Sequence, residues 1–416
     1  MDTIYAEATP AGRGGVSVVR ISGPGAWEAV SALVGPVPEP RRAVLRELRD
    51  GGELIDRALV MAFEEGRSFT GEQSAEIHLH GAPVIVARTG VALRRLGVRL
   101  AEAGEFTKRA FLNGKLDLAE AEGLADLLAA ETEAQRKLAM RSVDGELSRL
   151  VEVWRRDLIR AGALIEVTLD FADEEVPEEV PQECYDLIDG VKASIQGVIE
   201  GYPAAERVRQ GFEVAIIGPP NAGKSTLMNR IARREVAIVS DIPGTTRDII
   251  EFRADLNGLA VTFLDTAGLR ESLDEIESIG IDRARSRAAA ADLRLHLSQD
   301  GSFDKALWSQ GDLVLRSKSD TGEGDISAVT GAGVADMLAV VAERLVGRVS
   351  NAGIVSRERQ AQALGRAVDS LSDPSVAPEL MAEKIRRAAQ DLEMMVGRIG
   401  AEDYLDVVFS SFCIGK

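Results

Sequence analysis

The sequence predicts a multidomain protein of mixed α/β and α+β class, in which a helical domain in two pieces surrounds an inserted α/β domain. Short strand-like runs dominate the first part of the chain, and helical periodicity rich in Ala, Leu and Glu follows. That periodicity stops where buried strand-like runs begin to alternate with helices, and it resumes near the end of the chain. We therefore expect four sections, residues 1–115, 116–209, 210–348 and 349–416.

The first section is predicted to be an α+β domain. Its strand-like runs cover residues 16–21, 57–63 and 76–80. Turn-rich stretches at residues 12–15 and 35–40 separate these runs or precede them, as Gly and Pro do between strands.

The helical sections are predicted from apolar spacing. Residues 116–128 carry apolar side chains that we expect to form one buried face, at positions 116, 118, 124, 127 and 128. An acidic, proline-containing stretch at residues 173–179 interrupts the first helical section. Periodicity returns over residues 356–371 and 379–399, so the α/β section is expected to be an insertion.

Composition argues against several classes of protein. Hydrophobic residues make up 45% of the chain, and no apolar run reaches the roughly 20 residues that a membrane span needs, so we expect no membrane association. The two cysteines, Cys184 and Cys413, lie far apart, which favours a reducing cytoplasmic location over a disulfide framework. A net charge of −18 argues against a broad nucleic-acid-binding surface.

A phosphate-binding loop is the strongest functional signal. Residues 218–225 are Gly-Pro-Pro-Asn-Ala-Gly-Lys-Ser, and they follow the apolar run 214–217 and precede a helix-forming stretch. In such a loop backbone N–H groups surround phosphate oxygens, Lys224 reaches the β- and γ-phosphates, and Ser225 ligates Mg²⁺. The residues expected at the phosphates are Asn221, Ala222, Gly223, Lys224, Ser225 and Thr226. The chain is therefore predicted to bind a nucleoside triphosphate.

Two later segments fit the same chemistry. The apolar run 261–264 is followed by Asp265, Thr266, Ala267 and Gly268. An Asp at a strand end can hold the Mg²⁺ shell through water, and the N–H of Gly268 can contact the γ-phosphate. Thr246 lies in a loop between the two motifs, and its hydroxyl can complete the metal shell.

The nucleotide is predicted to be GTP. Ser317, Lys318 and Asp320, followed by Ser327 and Ala328, have the order and spacing of a guanine-specificity pair. A carboxylate at position 320 would accept hydrogen bonds from guanine N1–H and the exocyclic amine, which adenine cannot donate in that pattern. The stem of the lysine would lie over the base.

Three departures from the usual GTPase pattern affect this prediction. Ser317 stands where Asn is usual, so we expect guanine preference with weaker binding. Residues 293–298 are unusually polar for a central strand, so this half of the domain is expected to be less well formed. Leu269 cannot orient a water molecule, whereas Asn221 lies where a monovalent cation could neutralise developing charge as an arginine finger does.

Over nearly its whole length the chain resembles the MnmE (TrmE) family of tRNA modification GTPases. Outside the nucleotide motifs, the resemblance is carried by residues 2–15, 20–23, 69–72, 76–81, 104–122 and 412–416. The last stretch, Phe-Cys-Ile-Gly-Lys, is the most family-specific because nothing in GTP chemistry requires it. The resemblance implies an N-terminal α+β folate-binding and dimerisation domain, a discontinuous helical domain and an inserted Ras-like P-loop GTPase domain.

The resemblance also implies the cations and the catalytic groups. K⁺ would be the monovalent cation, and Mg²⁺ would be ligated by Ser225 and Thr246. The implied K⁺ ligands are Asn221, Ser240, Ile242 and Thr245, with Asp241 among the contacts to GTP and its cations. The implied catalytic residues are Lys224, Asn221, Cys413 and Glu277, the last orienting the attacking water through a second water.

A folate and two macromolecular partners follow from the same resemblance. A 5-formyltetrahydrofolate or related one-carbon tetrahydrofolate would contact Arg20, Glu76, Lys115 and Lys416. The family acts as a homodimer with the FAD-dependent protein MnmG, in a heterotetramer or larger complex. It installs an aminomethyl-type (carboxymethylaminomethyl) group at C5 of the wobble uridine of certain tRNAs.

Other interpretations remain open at this point. The chain could be a GTP-dependent RNA- or ribosome-binding assembly switch of the Era type, or a GTPase weakened to a scaffold. Glu76, His78 and His80 alternate along one strand and could ligate a metal, although we interpret them as ordinary strand side chains.

Overall fold

The computed structural model describes residues 2–170, 180–233, 237–238, 251–265, 285–372, 377–397 and residue 415. Its architecture is mixed α/β and α+β, as the sequence predicts. The chain divides into two compact units, one formed by Met1–Ala125 with Leu392–Lys416 and the other by Asp126–Asp391. Among the described residues, no helix is long and apolar enough to span a membrane.

The first unit is built on a six-stranded sheet in the order β3-β4-β5-β2-β1-β6. Neighbouring strands are antiparallel except β1 and β6, which are parallel. The strands are β1 Ile4–Glu7, β2 Val16–Ser22, β3 Val44–Asp50, β4 Glu53–Phe63, β5 Ser74–His80 and β6 Arg99–Leu100. The three strand-like runs of the sequence correspond to β2, β4 and β5, so those predictions are confirmed.

One face of this sheet is covered by helices. The core contains Val30 and Leu33 of the first helix, Leu93 of the second, and Ile21 and Ile77 of the sheet. The helices of this part of the chain are α1 Ala26–Val34, α2 Pro83–Arg95, α3 Glu105–Leu112 and α4 Leu118–Ala129.

The predicted buried face of α4 is wrong in detail. Leu118 is fully buried, but Leu128 is 44% exposed. The other buried positions of this helix are Ala119, Ala121, Glu122 and Gly123. The small residues at 119, 121 and 123 allow a close approach of neighbouring backbone, and burial in this helix does not follow the predicted apolar positions.

The second unit contains a helical part and an α/β part. Its helical part includes α5 Glu133–Val143, α6 Glu146–Asp170, α7 Gln182–Glu200, α8 Tyr202–Gln210 and α11 Glu358–Ser370, and α12 spans Pro378–Met395. The last two confirm the predicted return of helical structure. Trp154 of α6 is buried and donates a hydrogen bond to Ser194 of α7 at 2.9 Å. Burial raises the pKa of the Cys184 thiol to about 11, so this cysteine is an inert core residue.

The α/β part is a six-stranded sheet in the order β12-β11-β7-β10-β9-β8. The first four strands in that order are parallel to one another. β9 is antiparallel to β10, and β8 is antiparallel to β9. The strands are β7 Phe212–Ile217, β8 Ala237–Ile238, β9 Glu251–Leu256, β10 Leu259–Asp265, β11 Leu293–Ser298 and β12 Leu313–Arg316. The helices are α9 Lys224–Ala232 and α10 Val334–Val349, and residues 285–290 are also helical. Ligands bind such sheets outside the carboxyl ends of parallel strands.

The expectation of a poorly formed β11 is wrong. All six residues of the strand are buried, and it pairs with β7 on one side and β12 on the other. Its polar residues lie on one face, opposite three leucines that belong to the main core. Arg294 is accommodated because its Nε lies 2.8 Å from the buried carboxylate of Asp312. Strand pairing and the Arg294–Asp312 ion pair therefore compensate for the polar sequence.

Candidate functional site

The phosphate-binding loop lies where β7 ends and α9 begins. Gly223 immediately precedes α9 with φ of 97°, and Asn221 has φ of 62°, so the loop turns through left-handed backbone conformations. Gly218 approaches β11 so closely that a Cβ atom there would lie 2.0 Å from the carbonyl oxygen of Leu297. The Nζ of Lys224 donates to the carbonyl oxygens of Gly218 at 2.7 Å and Pro219 at 3.0 Å. The ammonium group is therefore held against the loop that would receive the phosphates.

A pair of oxygen ligands suited to Mg²⁺ lies beside this loop. The hydroxyl of Ser225, in the first turn of α9, donates to Oδ2 of Asp265 at 2.9 Å. Asp265 is the last residue of β10 and is 4% exposed. A hydroxyl and a carboxylate are the hard oxygen donors that Mg²⁺ prefers, so these residues fit the predicted metal.

A cleft of about 400 Å³ adjoins the other side of the loop. Its lining combines residues from both predicted groups: Asn221, Ala222, Gly223 and Thr226, predicted for the phosphates, and Ser317, Lys318, Asp320 and Ala328, predicted for the base. Lys318 has φ of 63°, and the N–H of Ser319 donates to the carbonyl oxygen of Ile326 at 3.1 Å. The two halves of the predicted guanine pair thus come together although separate loops carry them.

The carboxylate of Asp320 is oriented by Ser327. The buried Ser327 hydroxyl donates to Oδ1 of Asp320 at 2.6 Å and itself accepts from the N–H of Thr330 at 3.1 Å. This hydrogen bond lowers the pKa of Asp320, so the carboxylate is ionised throughout the neutral range. An ionised carboxylate is the acceptor that guanine N1–H and N2–H require.

Ser317 lies in the same cleft as a buried hydroxyl. The residue is 7% exposed, and its N–H donates to the carbonyl oxygen of Ser298 at 2.7 Å. Among the described residues, its Oγ has no hydrogen-bond partner. A longer side chain at this position could reach groups that the serine does not, and the weaker binding expected from the sequence stays a prediction.

Eleven of the predicted residues lie outside the part of the chain that the structure describes. They are Ser240, Asp241, Ile242, Thr245, Thr246, Thr266, Ala267, Gly268, Glu277, Cys413 and Lys416. The predictions for the K⁺ ligands, for Thr246 as a Mg²⁺ ligand, for the water-orienting residue and for the chain end therefore stay predictions.

A second polar cluster lies in the N-terminal sheet. Arg20 of β2 and Glu76 of β5 are directly paired in register, and their side chains form an ion pair with an N–O distance of 2.9 Å. The guanidinium of Arg20 also lies over the rings of Phe69 and Phe106, at 5.6 and 5.9 Å. His78 Nε2 lies 3.3 Å from the second oxygen of Glu76. Two aromatic rings beside a carboxylate and a guanidinium suit a flat heterocycle with polar edges.

Lys115 adjoins the loop that carries Phe69. Its Nζ donates to the carbonyl oxygen of Gly66 at 2.5 Å, and its stem lies against Gly71, where a Cβ atom would be 3.3 Å away. Two of the four residues predicted to contact folate, Arg20 and Lys115, therefore contact the same loop, and Glu76 is linked to it through Arg20.

His80 and His78 lie on the same strand but contact different carboxylates. Its Nδ1 lies 2.7 Å from Oδ1 of the buried Asp56, whereas His78 contacts Glu76. Within the described residues, no group of three or more His, Cys, Asp and Glu residues could hold a metal ion. The interpretation of this strand as an ordinary one agrees with these contacts.

Comparison with known proteins identifies the family. The family model described as "GTP-binding protein TrmE N-terminus" matches residues 3–115, and the model "MnmE helical domain" matches residues 118–413. The chain belongs to the MnmE family of tRNA modification GTPases. The resemblance stated from the sequence is confirmed.

Individual relatives agree with the family models. The tRNA modification GTPase MnmE of Paracoccus denitrificans is 65% identical, and that of Cereibacter sphaeroides (strain ATCC 17025) is 51% identical; each alignment covers all of this chain and all of the relative. Among solved structures, Era in complex with MgGDPNP and 16S ribosomal RNA matches 48% of this chain and 98% of its own, at 19% identity. Its TM-score of 0.27 is too low to support an argument.

The structure adds residues to this MnmE site that no motif indicates. Arg230 of α9 donates from Nε to the carbonyl oxygen of Ala328 at 2.6 Å, so it holds the second half of the base-binding pair. Phe69 and Phe106 form the aromatic surface beside Arg20. All of these contacts join residues distant in sequence, so no local pattern could have predicted them.

Proposed function

We propose that the chain hydrolyses GTP with stimulation by K⁺, and that hydrolysis drives modification of the wobble uridine of certain tRNAs. The observation that carries the proposal is the joint geometry of Lys224, of the Ser225–Asp265 pair and of the Asp320–Ser327 pair around one loop. These groups serve the three parts of a GTP–Mg²⁺ complex, namely the phosphates, the metal and the base.

Different residues of the chain would have different roles in catalysis. Lys224 would neutralise charge on the β- and γ-phosphates, and Ser225 with Thr246 would hold Mg²⁺. Bound K⁺ would supply positive charge near the bridging oxygen, held by Asn221, Ser240, Ile242 and Thr245. Glu277 would orient the attacking water, since Leu269 cannot accept or donate a hydrogen bond. Asn221 supports the cation proposal because it lies in the loop itself with left-handed backbone.

Hydrolysis should be faster in K⁺ than in Na⁺. We expect a rate at least about tenfold higher in KCl than in NaCl at matched ionic strength, because a cation in the site lowers the activation free energy by about 1.4 kcal/mol or more. Asn221→Ala should remove most of this difference. Phosphate release is the measurement, at saturating GTP and Mg²⁺.

A matched variant makes that result specific. Asn229→Ala, on the exposed side of α9, changes the same residue type without touching the loop and should keep the K⁺ effect. Equal rates in the two salts for the wild type would contradict cation-assisted hydrolysis.

The N-terminal cluster is proposed to bind a one-carbon tetrahydrofolate, such as 5-formyltetrahydrofolate. Glu76 would pair with the pterin N–H edge, the rings of Phe69 and Phe106 would contact the heterocycle, and Arg20, Lys115 and Lys416 would hold carboxylates. We further propose a homodimer that works with an FAD-dependent MnmG-type partner and tRNA. Cys413 would act in the modification step.

Folate binding should depend on this cluster. We expect Glu76→Gln to weaken 5-formyltetrahydrofolate binding by about tenfold or more, because a charged hydrogen-bond acceptor becomes a neutral one. Isothermal titration calorimetry measures the affinity. Glu53→Gln, on an exposed end of β4, is the control and should bind as the wild type does. Unchanged affinity in Glu76→Gln would mean that the Glu76 carboxylate does not contribute to folate binding.

A further inference from the structure

The polar face of β11 points to a cleft that the nucleotide chemistry does not use. Leu293, Leu295 and Leu297 face the main core of the α/β part, whereas the residues between them face the opposite side of the sheet. Of these, His296 lines a cleft of about 410 Å³. A volume of this size lies within the range of small-molecule sites.

This cleft exists because the connection between β11 and β12 contains no helix. Parallel neighbours are usually joined through a helix that covers the sheet, but residues 299–312 form only turns, bends and irregular chain. On this face the core is a small cluster that includes Ile217 and Leu307. The cleft lies between the connection and residues 217–220, at the start of the phosphate-binding loop.

His296 is a buried group with unused hydrogen-bonding capacity. It is 1% exposed, and within the described part of the chain neither ring nitrogen has a hydrogen-bond partner. Its Nε2 lies 3.5 Å from Oδ2 of Asp312, which is already paired with Arg294 at 2.8 Å. A buried imidazole beside a cleft favours a ligand that offers a donor or an acceptor to it.

The cleft also contains an aromatic side chain and a pair of oppositely charged side chains. Phe303 lines the cleft, lies edge-on to His296 at 5.9 Å and is 42% exposed, and Trp308 lies 6.2 Å from Phe303. At the rim Arg285 and Asp304 pair at 3.7 Å, so their charges offset one another. Aromatic walls without net charge favour a flat, neutral ligand over a phosphate or a carboxylate.

We propose that this cleft is a second ligand site, separate from the nucleotide site, for a small neutral heteroaromatic molecule. Among the described residues, its lining shares none with the cleft that holds Ser317 and Asp320, because the two clefts lie on opposite faces of β11. Its wall includes Gly218, the first residue of the phosphate-binding loop, so an occupant would touch that loop without replacing the nucleotide.

Benzimidazole is a suitable probe because it is flat, neutral at pH 7.5 and carries both a donor and an acceptor nitrogen. The full chain is labelled with 5-fluorotryptophan and saturated with GDP and Mg²⁺, and Trp308→Phe assigns one of the three tryptophan resonances. We expect a saturable ¹⁹F shift of Trp308 with about millimolar affinity, and no shift of Trp27 or Trp154.

Three variants make the test decisive. Ser302→Trp fills the cleft from an exposed position, and His296→Phe removes the ring nitrogens proposed to bond the probe, so each should weaken binding at least about tenfold. Ser309→Trp, an exposed serine of the same connection that does not line the cleft, should bind as the wild type does. Absence of a Trp308 shift, equal shifts of all three tryptophans, or unchanged binding in Ser302→Trp would overturn the proposal. Binding of single-stranded RNA without binding of benzimidazole would also overturn it.

Discussion

Asp320→Asn is expected to reduce the affinity for GTP by at least about a hundredfold, because a carboxylate that accepts two hydrogen bonds from guanine becomes an amide. The amide would place an N–H group against the guanine N2–H₂ donor. Xanthine carries a carbonyl at that position, so the same variant should bind xanthosine triphosphate more tightly than the wild type does. Competition against a fluorescent GDP analogue measures both affinities.

Two controls separate this specificity change from damage to the loop. Asp325→Asn, a neighbouring exposed carboxylate paired with Arg316 at 3.2 Å, should keep its preference for guanine. Ser317→Asn should bind GTP a few-fold more tightly, since an amide can reach partners that the buried hydroxyl does not. A loss of GTP affinity in Asp320→Asn without any gain for xanthosine triphosphate would contradict direct contact between this residue and the base.

The nucleotide loop could be predicted from sequence because its chemistry is local. A buried strand, a glycine-rich turn and a helix carrying Lys224 and Ser225 follow one another within a few residues. The close approach of Gly218 to Leu297 gives the first glycine a steric reason that the motif alone does not state. In the phosphate-binding loop, residues that are adjacent in sequence supply both the structure and the chemistry.

Predictions that depended on tertiary contacts were less successful. The polar residues of β11 suggested a weak strand, but burial beside Asp312 satisfies Arg294. The buried face of α4 was predicted wrongly because small residues such as Ala121 and Gly123 are buried there, whereas Leu128 is exposed. Likewise, Arg20 meets Phe106 only through the arrangement of the sheet and α3, which composition does not encode.

The second large effect concerns the lysine of the phosphate-binding loop. Lys224→Ala is expected to lower kcat/KM for GTP by about a thousandfold or more, or about 4 kcal/mol of transition-state stabilisation. The side chain is buried against the loop carbonyls of Gly218 and Pro219, so it is already placed where phosphate charge would develop. Single-turnover hydrolysis with protein in excess over GTP but below saturation measures this kcat/KM.

The fold should persist in this variant, since α9 is anchored by Leu227, Met228 and Ile231 in the core. Circular dichroism and the melting temperature test that expectation. Lys137→Ala, on the exposed face of α5, removes the same charge elsewhere and should leave hydrolysis unchanged. Retention of hydrolysis within tenfold of the wild type in Lys224→Ala would mean that the phosphates lie elsewhere. A collapse of kcat/KM in a folded Lys224→Ala protein would tie catalysis to this ammonium group, because alanine removes its positive charge and its N–H donors from the phosphate site.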